Sequence, residues 1–343
     1  MQNDVTPSLG SSCSPMSPNP PLRAAAHGWR SLCRFAMLPL VAVPLLFSQP
    51  SSATQLSAYA ANDPKLVGEF EKWLGCPVDF TMAFLDQRSW EAISWPQWFV
   101  DQFKVLDKPT LWSFPMIPKE ASLREAAAGE YNHYYVSAAR ILAESKPFPD
   151  GTIRIRLGWE MNGDWYPWAA RGKEEDFIKA FRHVVDSFRS VSDKFRFEWN
   201  VNYGLSMDVV KAYPGDEYVD VIGMDFYWMP KYMGYDPTRA FEIVRDHRVG
   251  LRWLEEFATA RGKRTAYSEW GVRGDNAGPF IRMLHEWIKE HPNVLYAIYW
   301  NHDADYQGRL STNRWPTTGT AFRQAFCPRP GQSAGVHEPG ENA

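Results

Sequence analysis

Glu160 and Glu269 each end a short strand-like run, and both are carboxylates that the surrounding pattern sets apart for acid–base or nucleophilic work. Ile153, Ile155 and Leu157 alternate with Arg154, Arg156 and Gly158. A period of two places Glu160 on the polar face with the arginines if the strand continues that far. Trp165, Tyr166 and Trp168 follow at once. An acid that protonates a glycosidic oxygen, next to flat apolar rings on which sugars stack, is what glycoside chemistry requires. The same residues also suit a structural Glu–Arg ion pair inside a barrel. The run from Arg264 to Gly271 decides between them, because it too ends in a glutamate and sets Thr265, Tyr267 and Glu269 on one face. Two glutamates about 110 residues apart converge only if both strands belong to one parallel barrel whose loops open on the same side.

The rest of the chain supplies that barrel. Residues 55–60, 77–85, 109–115, 153–157, 195–202, 218–227, 264–271 and 293–300 read as eight strands. Between them lie helical patterns, among them 64–74 with Asp63 as cap and Gly75 as stop, 130–145, 174–191 with a Phe177/Phe181/Val184/Val185/Phe188 stripe, one long helix from Arg239 to Arg261 capped by Thr238, and 280–290. Strand–helix alternation over roughly 270 residues is the size of an α/β fold of the (β/α)8 TIM-barrel type. A single domain over 54–327 is expected, with no internal repeat beyond the alternation itself. On this count Glu160 ends the fourth strand and Glu269 the seventh, both on the face where barrel enzymes act.

Composition agrees. The 343 residues include 16 Trp, 15 Tyr and 20 Phe, more aromatic surface than a core of this size needs, and several of these residues lie close to the glutamates. A net charge of −3 speaks against a nucleic-acid partner. Residues 1–53 read as a secretory leader: Arg23, Arg30 and Arg34 precede a run of 13 apolar residues at 35–47, too short and too proline-broken for a stable membrane span, and Ser51, Ser52 and Ala53 suit cleavage near Ala53. Export to the periplasm or beyond leaves Cys76 and Cys327 as a candidate disulfide, with two unpaired thiols as the alternative. Residues 328–343 are expected to be a disordered Pro/Gly-rich tail.

The run Arg156-Leu157-Gly158-Trp159-Glu160-Met161-Asn162-Gly163-Asp164-Trp165-Tyr166-Pro167-Trp168, with Ser268-Glu269-Trp270-Gly271 further on and Asp225-Phe226-Tyr227 between them, resembles glycoside hydrolase family 26, the β-mannanase family of the retaining clan A. The resemblance implies a double displacement in which Glu160 is acid then base and Glu269 the nucleophile, with carboxyl groups about 5–5.5 Å apart. It implies that Tyr227 hydrogen-bonds the nucleophile, that Trp165 and Trp300 stack on sugars, that Arg156 and Asn162 order the site, and that Trp159 or Trp165 desolvates the acid. Mannanases of the family carry histidine where this chain has Trp159, so β-mannan, mixed-linkage β-glucan, β-1,3-xylan and exopolysaccharide all stand as substrates.

No metal or nucleotide motif is present, and no cofactor is expected. The stretch from Asn301 to Asp305 offers oxygens to a sugar or a calcium ion, a solvated loop being the plainer reading. A monomer acting on polysaccharide is expected. The alternatives are a non-catalytic glycan-binding protein, which a salt bridge from Arg156 capping the carboxylates would favour, and an exopolysaccharide-processing component acting on an anionic chain.

Overall fold

The structure is a computed structural model that describes residues 53–328. The expected leader, apart from Ala53, and the tail beyond Pro328 lie outside the described residues.

Eight parallel strands form the interior: β1 (Gln55–Tyr59), β2 (Thr81–Phe84), β3 (Thr110–Phe114), β4 (Ile153–Leu157), β5 (Phe195–Asn202), β6 (Val221–Tyr227), β7 (Arg264–Gly271) and β8 (Val294–Trp300). Their order around the sheet is β1-β8-β7-β6-β5-β4-β3-β2, so chain neighbours are spatial neighbours throughout. The seam between β1 and β2 is drawn together largely by side chains. Leu56 N donates to Asp79 Oδ2 at 2.7 Å, Ser57 Oγ to Phe80 O at 2.7 Å, and Asn62 exchanges two hydrogen bonds with the backbone of Phe84. The result is a single-domain (β/α)8 barrel.

Helices follow the strands where periodicity puts them. α1 (Pro64–Leu74) starts at Asp63, whose side chain accepts from Lys65 N, and stops at Gly75 in the left-handed region at φ 96°. After β2 come α2 (Trp90–Ser94) and α3 (Gln97–Lys104), and after β3 come α4 (Leu123–Ala127), which the sequence pattern does not announce, and α5 (Asn132–Leu142). α6 (Glu174–Arg189) buries the Phe177-to-Phe188 stripe. Later come a single turn, α7 (Pro230–Met233), then α8 (Pro237–Asp246), α9 (Leu251–Thr259), α10 (Gly278–Glu290) and α11 (Pro316–Phe326).

The single long helix expected from Arg239 to Arg261 is two helices. Asp236, not Thr238, caps the first, accepting from the backbone N–H groups of Thr238 and Arg239. Residues 247–250 are extended at His247 and Gly250, and a Cβ at Gly250 would lie 2.3 Å from Val244 O. Apolar spacing continues across the break and conceals it, because the two helices share one inward face.

Cys76 and Cys327 are bonded, Cα to Cα 6.1 Å, across 251 residues of sequence. Among the described residues no helix is long and apolar enough to cross a membrane.

Candidate active site

Glu160 does not sit on a prolonged β4. The strand stops at Leu157, and Gly158 and Glu160 both adopt left-handed backbone, at φ 54° and 52°. Gly158 is required there twice over, since an added Cβ would also meet Met116 Sδ at 2.3 Å. A glutamate with positive φ costs on the order of 1–3 kcal/mol and persists only where neighbours hold it. Here the Glu160 N–H donates to Asn200 Oδ1 at 3.0 Å and its carbonyl accepts from Gly163 N at 2.9 Å. The turn lifts the carboxyl over the strand end. There Oε1 accepts from Asn202 Nδ2 and Oε2 from Trp165 Nε1 at 2.7 Å. Only neutral donors touch this acid. Burial, and then the charge of Glu269, push its pKa up to about 7, against the pull of Asn202, Arg156 and Trp165.

Glu269 reaches the site by a different local device. The β6–β7 register slips between Met224↔Tyr267 and Asp225↔Glu269, leaving Ser268 as an extra residue in β7. The bulge reverses the alternation, so Thr265, Tyr267 and Glu269 do not share a face. Thr265 and Tyr267 point outward and hydrogen-bond Glu255 on α9, at 2.8 and 3.0 Å. Glu269 points into the barrel mouth, where Arg156 Nη2 lies 2.6 Å from Oε1 and Tyr227 OH donates to Oε2 at 2.6 Å.

Arg156, fully buried, is the hub beneath both glutamates. It pairs with Asp225 on β6 as well as with Glu269, donates to Ser113 Oγ and Asn200 Oδ1 at 3.3 Å, and has Glu198 3.8 Å from Nε. Glu198 in turn accepts from Ser268 Oγ, from Tyr296 OH at 2.5 Å and from Asn200 Nδ2 at 3.1 Å. Gly223 makes room for it, since a Cβ there would sit 1.9 Å from Glu198 Oε1. One guanidinium thus serves three buried carboxyl groups, with a fourth, Glu160, within reach of its field. Burial pushes up the pKa of Glu198 and Asp225 as well as that of Glu160, against the pull of Arg156, so a proton held within the group eases that excess.

The aromatic residues divide by depth. Trp165 is half exposed over the acid. Trp300 is nearly buried, stacks on Tyr59 with centroids 4.6 Å apart, and stands edge-on to Tyr227 at 6.0 Å. Trp159 lies beneath the surface, edge-on to Phe84 at 5.0 Å and packed on Trp168. Asn162 is wholly buried and clamps the loop after β4 to β5, exchanging 2.8 Å hydrogen bonds with the Asn202 backbone. Arg156, Trp159 and Asn162 therefore sit below the cleft; Trp165, Tyr227 and the edge of Trp300 border it. The loop after β8 is internally satisfied, with Asp303 paired to Arg314 at 3.0 Å and Asn301 bonded to Ser311. Among the described residues no group of three His, Cys, Asp or Glu side chains is arranged to hold a metal. Sequence reasoning left Asn200, Asn202, Glu198 and Ser268 without roles. The period-two run of polar residues at 198, 200 and 202 was the available signal for the first three.

Residues 120–265 match glycosyl hydrolase family 26, a segment that contains Glu160 and ends just short of Glu269. That stretch, under half of the chain, is similar to family 26. The chain's relatives include "Endoglucanase H" of Acetivibrio thermocellus, 25% identical over 87% of this chain and 33% of that protein, and a mannan endo-1,4-beta-mannosidase of Bifidobacterium adolescentis, 30% identical over 44% of this chain and 17% of that protein. The chain thus spans a third or less of the length of these two relatives. Among solved structures, the family 26 catalytic domain of an endo-β-1,4-mannanase from Bacillus sp. JAMB-750 superposes with a TM-score of 0.58 at 15% identity, covering 80% of this chain and 85% of that one. A family 26 β-mannanase from Bacteroides ovatus gives 0.56 at 14% identity, covering 80% and 89%. At these identities the structural likeness shows the (β/α)8 barrel fold alone.

Proposed function

We propose that the protein is an endo-acting retaining hydrolase of a β-linked polysaccharide, with Glu160 as acid/base and Glu269 as nucleophile. The observation that carries this reading is the contrast in how the two carboxyls are held: Glu160 by burial and neutral donors, with a pKa near 7, Glu269 by a guanidinium and a phenol. In the first step a Glu269 oxygen attacks the anomeric carbon while Glu160 gives its proton to the departing glycosidic oxygen. A glycosyl ester forms and the new chain end leaves. In the second step Glu160, now ionised, takes a proton from water as that water attacks the anomeric carbon and expels Glu269, so the configuration at that carbon is retained. Tyr227 and Arg156 orient Glu269, Asn202 and Trp165 orient Glu160, and Trp165 offers a ring face and Trp300 an edge to sugars.

The similarity to Endoglucanase H across most of this chain, and Trp159 in the place of the mannanase histidine, support a β-glucan backbone as readily as a β-mannan. The test is hydrolysis of β-mannan, mixed-linkage β-glucan, β-1,3-xylan and exopolysaccharide by the wild type, Glu160→Ala and Glu269→Ala. One polymer cut by the wild type alone supports the reading. No cutting, with equal binding by all three proteins, supports a glycan-binding role, which the Arg156–Glu269 ion pair favours. Export and cleavage near Ala53 belong to the same proposal, supported by the disulfide; mass spectrometry of the exported protein's N-terminus checks it.

A further inference from the structure

Three loops on the nucleophile's side of the barrel mouth are tied to one another, and two of them carry cations that pair with no carboxylate among the described residues. The loop after β6 is fixed at both ends: Trp228 is buried, its Nε1 donates to Gly234 O at 3.0 Å, and its carbonyl accepts from Tyr306 OH, on the loop after β8, at 2.8 Å. Asn276, on the loop after β7, donates to Tyr235 O at 3.1 Å. Arg273, on that same loop, donates to Gln307 Oε1 at 3.0 Å.

Although its backbone is anchored, this rim leaves Tyr232 72% and Tyr235 81% exposed, more than the exposed tryptophans Trp95, Trp98 and Trp165. Lys231 Nζ lies 5.2 Å over the Tyr232 ring. Arg273 spends one of its five donors on a neutral amide, and among the described residues no carboxylate pairs with it or with Lys231. The rim is continuous with the chemistry, since Tyr227 precedes it, bonds Glu269 and packs on Tyr306 with centroids 4.6 Å apart. Asp305, exposed near Tyr59 and His302, is the acidic group on the neighbouring β8 loop.

We propose that this rim is a subsite for a β-glycan bearing carboxylate groups, in which Arg273 and Lys231 take the carboxylates and Tyr232 and Tyr235 carry the faces of the sugar rings. A guanidinium with free forked donors suits a carboxylate, and exposed phenol rings on a fixed loop suit pyranose faces. A neutral glycan uses only the rings and leaves both cations idle. The proposal deepens the hydrolase reading and rests on it for the placement of the chain.

The experiment uses the full mature protein with a neutral β-glucan, a neutral β-mannan and each polymer after oxidation of its C6 hydroxyls to carboxylates. Affinity electrophoresis reads binding and reducing-end release reads cleavage. The expected result is about tenfold stronger retardation by an oxidised polymer than by its neutral parent at low salt. That ratio falls to about one in Lys231→Ala/Arg273→Ala, each exposed ion pair contributing up to about fivefold. It also falls with added salt, which screens exposed charge. Tyr232→Ala/Tyr235→Ala weakens binding of neutral and oxidised forms alike. Equal retardation by parent and oxidised polymer, or a preference that survives in the double cation variant, overturns the subsite. Cleavage without charge preference sinks the subsite and leaves the hydrolase reading standing; charge-selective retardation without cleavage does the reverse.

Discussion

The ends of β4 and β7 solve one problem in opposite ways. Both must aim a glutamate into the same space from parallel strands, where unbroken alternation gives little choice of direction. At β4 the strand ends early and a left-handed turn, enabled by Gly158 and held by Asn200, swings Glu160 over the mouth among neutral donors. At β7 the strand continues and an inserted Ser268 rotates Glu269 inward onto Arg156 and Tyr227. The difference teaches that two chemically identical residues can be set apart by their partners: neutral donors around Glu160, a guanidinium and a phenol around Glu269.

The strongest way to break this comparison is to exchange or erase the two carboxyls. Glu269→Ala and Glu160→Ala should each lower turnover of polymer by on the order of 10⁴-fold or more, as loss of a nucleophile or proton donor does elsewhere. With an activated aryl glycoside and azide the two variants should part company. Glu269→Ala should release the α-glycosyl azide and Glu160→Ala the β-anomer, as NMR of the product would show. The same anomer from both would mean that the roles are not divided as proposed.

Removing the guanidinium attacks the β7 arrangement alone. Arg156→Met strands Asp225 and Glu269 as buried carboxyl groups without a cation and should cost about 3–5 kcal/mol in urea unfolding. A loss below about 1 kcal/mol would mean that the pair is incidental.

The β4 arrangement is sharpened by pH. A carboxyl whose pKa is about 7 when folded and near 4.5 when unfolded binds its proton more tightly in the native state. Its contribution is therefore fully present below about pH 4.5 and is lost as pH rises to 7, by up to about 3 kcal/mol. Glu160→Gln should remove that slope, so its stability relative to wild type should improve between pH 5 and pH 8. The same group should set the basic limb of kcat/KM near pH 7. A smaller refinement is Trp165→Phe, which deletes the indole donor to Glu160 Oε2; the basic limb should move up by a fraction of a pH unit. A limb that stays in place would show that the half-exposed indole does not influence the acid.

Much of this was legible beforehand, and what was not has a common cause. Strand positions, the caps at Asp63 and Gly75, and the two glutamates follow from periodicity and residue type, which are local. The bulge at Ser268, the left-handed Glu160 and the break before Gly250 depend on which neighbour each segment pairs with, and a single run of residues does not encode that. Glu198 shows the limit clearly: its polarity was visible in β5, yet its lodging depends on Gly223 in β6, Ser268 in β7 and Tyr296 in β8 together.

The bond between Cys76 and Cys327 makes a closed ring of the chain from β2 through α11, and β1 and α1 lie outside it. Tension applied to the two ends of the protein would run through the sulfur bridge and bypass seven of the eight strands. Under load the barrel would surrender only its first strand and helix and then stop lengthening until the bridge was reduced, when the chain between the two cysteines would be free to pay out.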